Sequence, residues 1–254
     1  MSASKKIDTE WHAEQVEKYA EEQEQYKIYA EALMAVLTEA ARLYAPLSIV
    51  QAREKSIASF AEKVARKAHK YKDPVHQITD LCGARIIVPT LDQVSALTHV
   101  IRDNFTVDEA NSDDAGARLK DVEFGYRAIH LVVQVHKDKI LGVDMPRADI
   151  ESRKAEIQVR TLAQNAWATI THDRLYKTHL TVPSRLRRLG HRMAALLEDA
   201  DDEMNGFERE MQAYFGDYRV YLKPEDLEYE LQVAELALKH ESDPKQKPPL
   251  VLRA

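Results

Sequence analysis

Between Glu10 and Tyr44 apolar residues recur every three or four positions. Tyr26, Tyr29, Leu33, Val36 or Leu37, Ala40 and Leu43 form the series, with Glu, Gln and Lys between them. That period is one face of a helix. Pro46 closes it, because proline disfavours helical backbone in the preceding residue. The short apolar, β-branched piece Leu47–Gln51 reads as a strand. Lys55–Lys70 returns to helical spacing, with Ile57, Phe60 and Val64 on one side and Lys63, Arg66, Lys67 and Lys70 on the other. Ala84–Val88 is the strongest strand signal and ends at Pro89. Leu91–Asn104 reads as an amphipathic helix, Phe105–Glu109 as a strand, and Asn111–Gly116 as a loop by composition. Ala128–Val135 and Ala155–Thr161 are two further strands, separated by a segment containing Gly142 and Pro146. From Leu162 the pattern is helical again, with helices over Leu186–Tyr214 and, after Pro224, Leu227–Leu238. The tail Asp243–Ala254 carries three prolines and reads as mobile.

Four or five strands between helical flanks predict a single α/β (α+β) domain around a mixed sheet. The organisation expected is a helical extension over 1–45, a core over 46–180, C-terminal helices over 181–242 and a tail over 243–254. The terminal helices could pack on the sheet or form an oligomer surface.

Composition narrows the function classes. A net charge of −6 gives no global attraction to nucleic acid or an anionic membrane, so any polyanion site must be a local cluster of Lys and Arg. Cys82 is the only cysteine, which excludes an intrachain disulfide and a thiolate-rich metal site within one chain. No apolar run approaches the roughly 18 residues of a membrane span, and nothing resembles a signal peptide. The expectation is a cytoplasmic protein with no membrane partner.

Four segments carry candidate chemistry. Arg53, Lys55, Ser59 and Lys63 sit at a strand-to-helix junction, where backbone N–H groups and the helix dipole favour an anion. Lys55, Ser59 and Lys63 fall four apart and would share one helical face, either as a triphosphate cradle or as a solvated basic surface. Asp80 precedes the Ala84–Val88 strand, where a carboxylate can hold a hard cation or simply cap a loop. Arg85 lies against the apolar run Ile86–Val88 and needs a partner: a nucleobase, phosphate or carboxylate would each serve. Tyr126, Ala128 and His130 share a strand face suited to stacking and reading a base, or belong to an ordinary sheet. Glu156, Gln158 and Arg160 also share one face, opposite Ile157 and Val159, and make either a site floor or a solvent-facing edge. Trp167 reads as structural.

In this order the segments resemble the synthetase domain of the RelA/SpoT family, most closely its stand-alone small alarmone synthetases, from about Val50 to Lys177. The resemblance implies a nucleotidyltransferase-like fold and a Mg-dependent transfer of pyrophosphate from ATP to the 3′-hydroxyl of GDP or GTP, or GMP, with release of AMP. It implies that Arg53, Lys55, Ser59 and Lys63 hold ATP, and that Arg85 and Arg53 sandwich its adenine. Asp80 and Glu156 would hold magnesium, with Glu156 as the catalytic carboxylate. Tyr126 and His130 would bind the guanine nucleotide, with Gln158 and Arg160 beside them.

Departures from the family pattern bear on the acceptor. Ala52 replaces a common glycine, Asp121–Phe124 is acidic and apolar rather than basic, and Thr171 precedes His172 where a glutamate is common. The first 45 residues are too short for the hydrolase domain of long family members, which makes His172-Asp173 incidental. One alternative is a toxin-type relative that pyrophosphorylates tRNA or makes adenosine alarmones. It would have tRNA or an antitoxin protein as partner, with Arg185, Arg187, Arg188 and Arg192 as a basic track. A second alternative is an inactive nucleotide-binding module. The resemblance also leaves a homo-tetramer open.

Overall fold

The computed structural model describes residues 8–114, 128–150, 152–171 and 182–217, with isolated positions between 223 and 239. The chain divides into two compact units, Met1–Asp202 and Glu203–Ala254. In the second unit the described positions from 228 to 239 are helical, where the sequence predicts its last helix. The loop before Ala128, the segment 172–181 and the tail 243–254 lie outside the described residues.

The first unit opens with α1 (Thr9–Tyr44), whose N-cap Asp8 accepts hydrogen bonds from the backbone of Glu10 and Trp11. There follow β1 (Ile49–Glu54), α2 (Ile57–Lys67), α3 (Pro74–Gln77), β2 (Cys82–Val88), α4 (Leu91–Asn104), β3 (Thr106–Val107) and β4 (Asp113–Asp114). Then come β5 (Ile129–Gln134), β6 (Lys139–Ile140), β7 (Val143–Asp144), α5 (Arg147–Ile150), β8 (Ala155–Thr161) and α6 (Leu162–Thr171), and α7 (Ser184–Asp217) begins in this unit.

The main sheet has the order β1-β2-β8-β5-β3, with β4 also pairing to β5. β2 and β8 run parallel at its centre and the other pairings are antiparallel, so the sheet is mixed as predicted. Four strands have six or seven residues; β3 and β4 have two each. The β4 pairing corrects the expectation of a plain loop over 111–116: Asp113 and Asp114 lie opposite His130 and Ile129. The connection around Gly142 holds the hairpin β6–β7. Its corner residues Leu141 and Gly142 have φ of 48° and 83°, the left-handed pair that a tight primed turn requires.

Paired residues point to the same side of a sheet, so the register sorts the side chains into two faces. Ala84, Ile86, Leu131, Ile157 and Val159 join the core with α1 and α4. The stripe predicted on α1 packs here, on its own sheet: Tyr26, Tyr29, Leu33, Val36, Leu37 and Ala40 are buried, while Leu43 is 50% exposed. Three tyrosines of α1 bury their rings and still satisfy their hydroxyls. Tyr19 donates to the Lys55 carbonyl at 2.6 Å, Tyr26 to Val75 at 3.1 Å and Tyr29 to Val133 at 3.3 Å. Tyr19 also stacks on Phe60 with centroids 4.3 Å apart, which fixes α2 against α1.

The opposite face carries the polar residues in rows. Arg53, Gly83 and Glu156 form one row; Gln51, Arg85, Gln158 and His130 form the next.

Candidate active site

α2 starts at Ile57, two residues after Lys55. Ser56 is its N-cap and accepts from the Ser59 backbone N–H at 3.2 Å. This corrects the expectation that Lys55, Ser59 and Lys63 share one helical face. Lys55 instead continues the β1–β2 pairing, its N–H donating to the Leu81 carbonyl at 2.8 Å. That pairing sets Lys55 beside the turn that holds Asp80. Lys63 comes from the next turn but one of α2 and reaches the same carboxylate.

The result is a two-sided clamp. Lys55 Nζ donates to Asp80 Oδ2 at 3.0 Å, and Lys63 Nζ to Oδ1 at 2.7 Å. Burial pushes the Asp80 carboxyl up, but Lys63 and Lys55 outweigh it and hold the group below the usual aspartate range. One turn further along α2, burial and the neighbouring charges of Lys63 and Lys70 push the Lys67 ammonium down. Ser59 is exposed and accepts the hydroxyl hydrogen of Ser56, so its side chain is engaged at the start of the helix.

Across Gly83 from Arg53 stands Glu156, with its side chain 20% exposed. Its Oε1 is approached by His130 Nδ1 at 3.2 Å and receives a hydrogen bond from Gln158 Nε2 at 2.7 Å. Burial pushes the Glu156 carboxyl up, yet His130 and Gln158 hold it below the usual glutamate range against the opposing charge of Asp80. Arg160 donates to Gln158 Oε1 and is only 4% exposed.

These groups line a cleft of about 440 Å³ whose wall includes Arg53, Lys55, Asp80, Gly83, Arg85 and Glu156. Arg85 buries its Nε without a hydrogen-bond partner among the described residues. Arg85 also lines the cleft, and the planar guanidinium of a lining arginine suits a flat or anionic ligand. Gly83 leaves open space: a Cβ built there meets nothing within 4 Å. Asp80 and Glu156 are both ionised hard oxygen donors on the same cleft, the donor type that a magnesium ion takes.

The sequence and the fold are similar to those of known proteins. The family described as "Region found in RelA / SpoT proteins" matches residues 52–181. The chain belongs to the RelA/SpoT family. GTP pyrophosphokinase YjbM of Bacillus subtilis is 32% identical over 174 residues, covering 66% of this chain and 75% of the relative. The crystal structure of small alarmone synthetase 1 from Bacillus subtilis has a TM-score of 0.61 at 29% identity, covering 77% of this chain and 98% of that one. The same enzyme bound to its product pppGpp has a TM-score of 0.56 at 30% identity, covering 74% and 94%.

The RelA/SpoT motifs thus fall on this face with distinct placements. Arg53, Lys55, Asp80, Arg85, Glu156 and Gln158 line the cleft. Lys63 joins them through Asp80 and His130 through Glu156. Arg160 lies behind Gln158 rather than on the cleft wall. Tyr126 lies outside the described residues, as do His172 and Asp173. Trp167 is buried and donates its indole N–H to the Gly190 carbonyl at 3.2 Å, which fits the structural reading. Sequence reasoning missed Gln51 and Glu54 on the cleft wall. Period two counted back from Arg53 was the available signal for Gln51. It also missed the reciprocal cap at the start of α6, where Thr161 N donates to Gln164 Oε1 at 3.0 Å and Gln164 N to Thr161 Oγ1 at 3.1 Å. The signal was the Thr-x-x-Gln spacing of a capping box.

Proposed function

We propose that this chain is an alarmone synthetase, transferring pyrophosphate from ATP to the 3′-hydroxyl of a guanine nucleotide, GDP or GTP, in the cytoplasm. One observation carries the reading. A single cleft joins Asp80, clamped by Lys55 and Lys63, to the ionised Glu156 and to two arginines, Arg53 and Arg85.

Transfer of this kind asks for charge neutralisation and alignment more than for covalent catalysis. Arg53 and Arg85 grip adenine from two strands, while Lys55 and Lys63 turn from Asp80 toward the phosphates. Glu156 is held ionised and accepts the proton of the attacking 3′-hydroxyl. The new bond joins that oxygen to the β-phosphorus, and the bond from the β-phosphorus to the bridging oxygen breaks. AMP leaves with the bridging oxygen. Tyr126 and His130 hold the guanine nucleotide. Asp80 and Glu156 would hold magnesium, which supplies charge neutralisation on the phosphates when bound.

The test is to incubate the pure protein with magnesium and γ-labelled ATP, adding GDP, GTP, GMP, ATP or bulk tRNA separately, with Glu156→Gln as the control. Label on a guanine nucleotide, lost in the variant, is the expected result. Label on tRNA or an adenine nucleotide would replace this reading with the toxin-type one, and transfer to none of the acceptors would overturn both.

A further inference from the structure

The hydrogen bonds behind Glu156 form a directed chain. Arg160 has only donors and the ionised Glu156 has only acceptors, and Gln158 stands between them on the same face of β8. The Gln158 amide therefore has one satisfactory orientation. Its Oε1 must face the guanidinium and its Nε2 must face the carboxylate. Were Arg160 absent, Gln158 Oε1 would lose this donor, and of the two bonds only the one to Glu156 would still favour the orientation. Turned over, the amide would set an oxygen against the Glu156 oxygen instead of a donor.

Burial supports the same order. Arg160 is 4% exposed and beyond the cleft wall, whereas Gln158 and Glu156 both line the cleft. Among the described residues the guanidinium is joined to the cleft wall through Gln158. The register adds that Gln158 lies directly opposite His130, the second group on Glu156 Oε1. Gln158 and His130 thus both engage Oε1 of Glu156, a residue of the cleft wall.

We propose that Arg160 is a positioning residue that acts through Gln158: it fixes the amide so that Gln158 holds Glu156 Oε1 and leaves Oε2 for the reaction. The role of Glu156 in this statement rests on the pyrophosphate-transfer reading, but the chain of bonds does not.

A double-mutant cycle tests it, using Arg160→Met, Gln158→Leu and the double variant. Each single change is expected to lower kcat about 10- to 100-fold, the usual effect of losing a group that orients a functional ligand. KM for ATP and for the guanine nucleotide should stay within about threefold. The double variant should be no slower than the slower single one, because both changes break the same chain. Arg160→Lys keeps the charge and a donor and should recover most of kcat. Arg160→Leu replaces Arg160→Met in the cycle should the latter fail to fold. Losses that multiply in the double variant would overturn the proposal. So would a raised KM for the guanine nucleotide with kcat unchanged, which would make Arg160 an acceptor contact. A second readout is independent of turnover. The Gln158 side-chain amide signals, assigned by their loss in Gln158→Leu, should move toward those of a solvated glutamine in Arg160→Met and stay near their wild-type positions in Arg160→Lys. Signals unmoved in Arg160→Met would overturn the positioning role. An inactive wild-type protein would instead sink the transferase reading and leave this arm to decide.

Discussion

Lys63 places its Nζ 2.7 Å from Oδ1 of Asp80, and the contact joins the helix after β1 to the turn before β2. Lys55 holds the other oxygen of the same carboxylate at 3.0 Å. One anion thus keeps two ammonium groups, both largely shielded from solvent, in place.

Lys63→Met should therefore lower pyrophosphate transfer about 10²-fold or more, the scale found when one preorganised charge donor is lost. KM for ATP should rise as well. Steady-state kinetics with ATP varied at saturating GDP check this, and unchanged kinetics would show that Lys63 serves Asp80 alone.

Gly83 sits between Arg53 and Glu156 in one row of the sheet, and its missing Cβ faces open space. Gly83→Val adds a residue that strands favour, so thermal stability should hold or rise. The new side chain stands in the cleft, and affinity for a non-hydrolysable ATP analogue should fall at least about tenfold, or ~1.4 kcal/mol. Calorimetric titration beside a melting curve separates the two effects. Destabilisation with normal affinity would contradict the geometry.

Acid should unfold the protein partly through Asp80 and Glu156. Both carboxyls lie below their ordinary range in the folded state, held there against burial by Lys63 and Lys55 and by His130 and Gln158. A depressed carboxyl contributes stability that is complete above its unfolded value and is lost as pH falls through the folded one. The melting temperature should hold at neutral pH and fall below about pH 4. The advantage of wild type over Glu156→Gln should shrink in that same window. An advantage that persisted at the lowest pH would assign it to packing rather than charge.

At the other extreme, burial and then the Glu22 charge push Tyr26 up to about 12. A raised value contributes stability that is present below the unfolded value near 10.0 and lost as pH climbs through the folded one. Ultraviolet titration should show Tyr26 ionising late, together with Tyr19 and Tyr29, which burial also pushes up. Tyr26→Phe should shrink that late step and leave the part due to Tyr19 and Tyr29.

Thr161 donates its hydroxyl to Asp201 Oδ2 at 2.8 Å in the interior while capping α6. Thr161→Val keeps the shape, removes both bonds and should cost about 1–3 kcal/mol. For a chain of this size that is a drop of roughly 2–4 °C per kcal/mol in a thermal melt. An unchanged melting temperature would mean that the Asp201 bond contributes nothing net.

The amino-acid sequence by itself determined the long elements and the chemistry available to them. Leu91–Asn104 and Ala155–Thr161 fold over the spans their periodicity marks, and the α1 stripe buries all its predicted members except Leu43. Period two also put Glu156, Gln158 and Arg160 on one face, because side-chain alternation is a local property of a strand. The two-residue strands β3 and β4 have no such signal; they exist because β5 offers them hydrogen bonds. Only the tertiary structure decided that Gly83 separates Arg53 from Glu156, that Lys55 leaves the helix to meet Asp80, and that Arg160 turns to Gln158 rather than the cleft. Each depends on register between strands distant in sequence, where a slip of one residue would send every side chain to the other face, and on solvent exclusion that exists only once the sheet is closed by its helices.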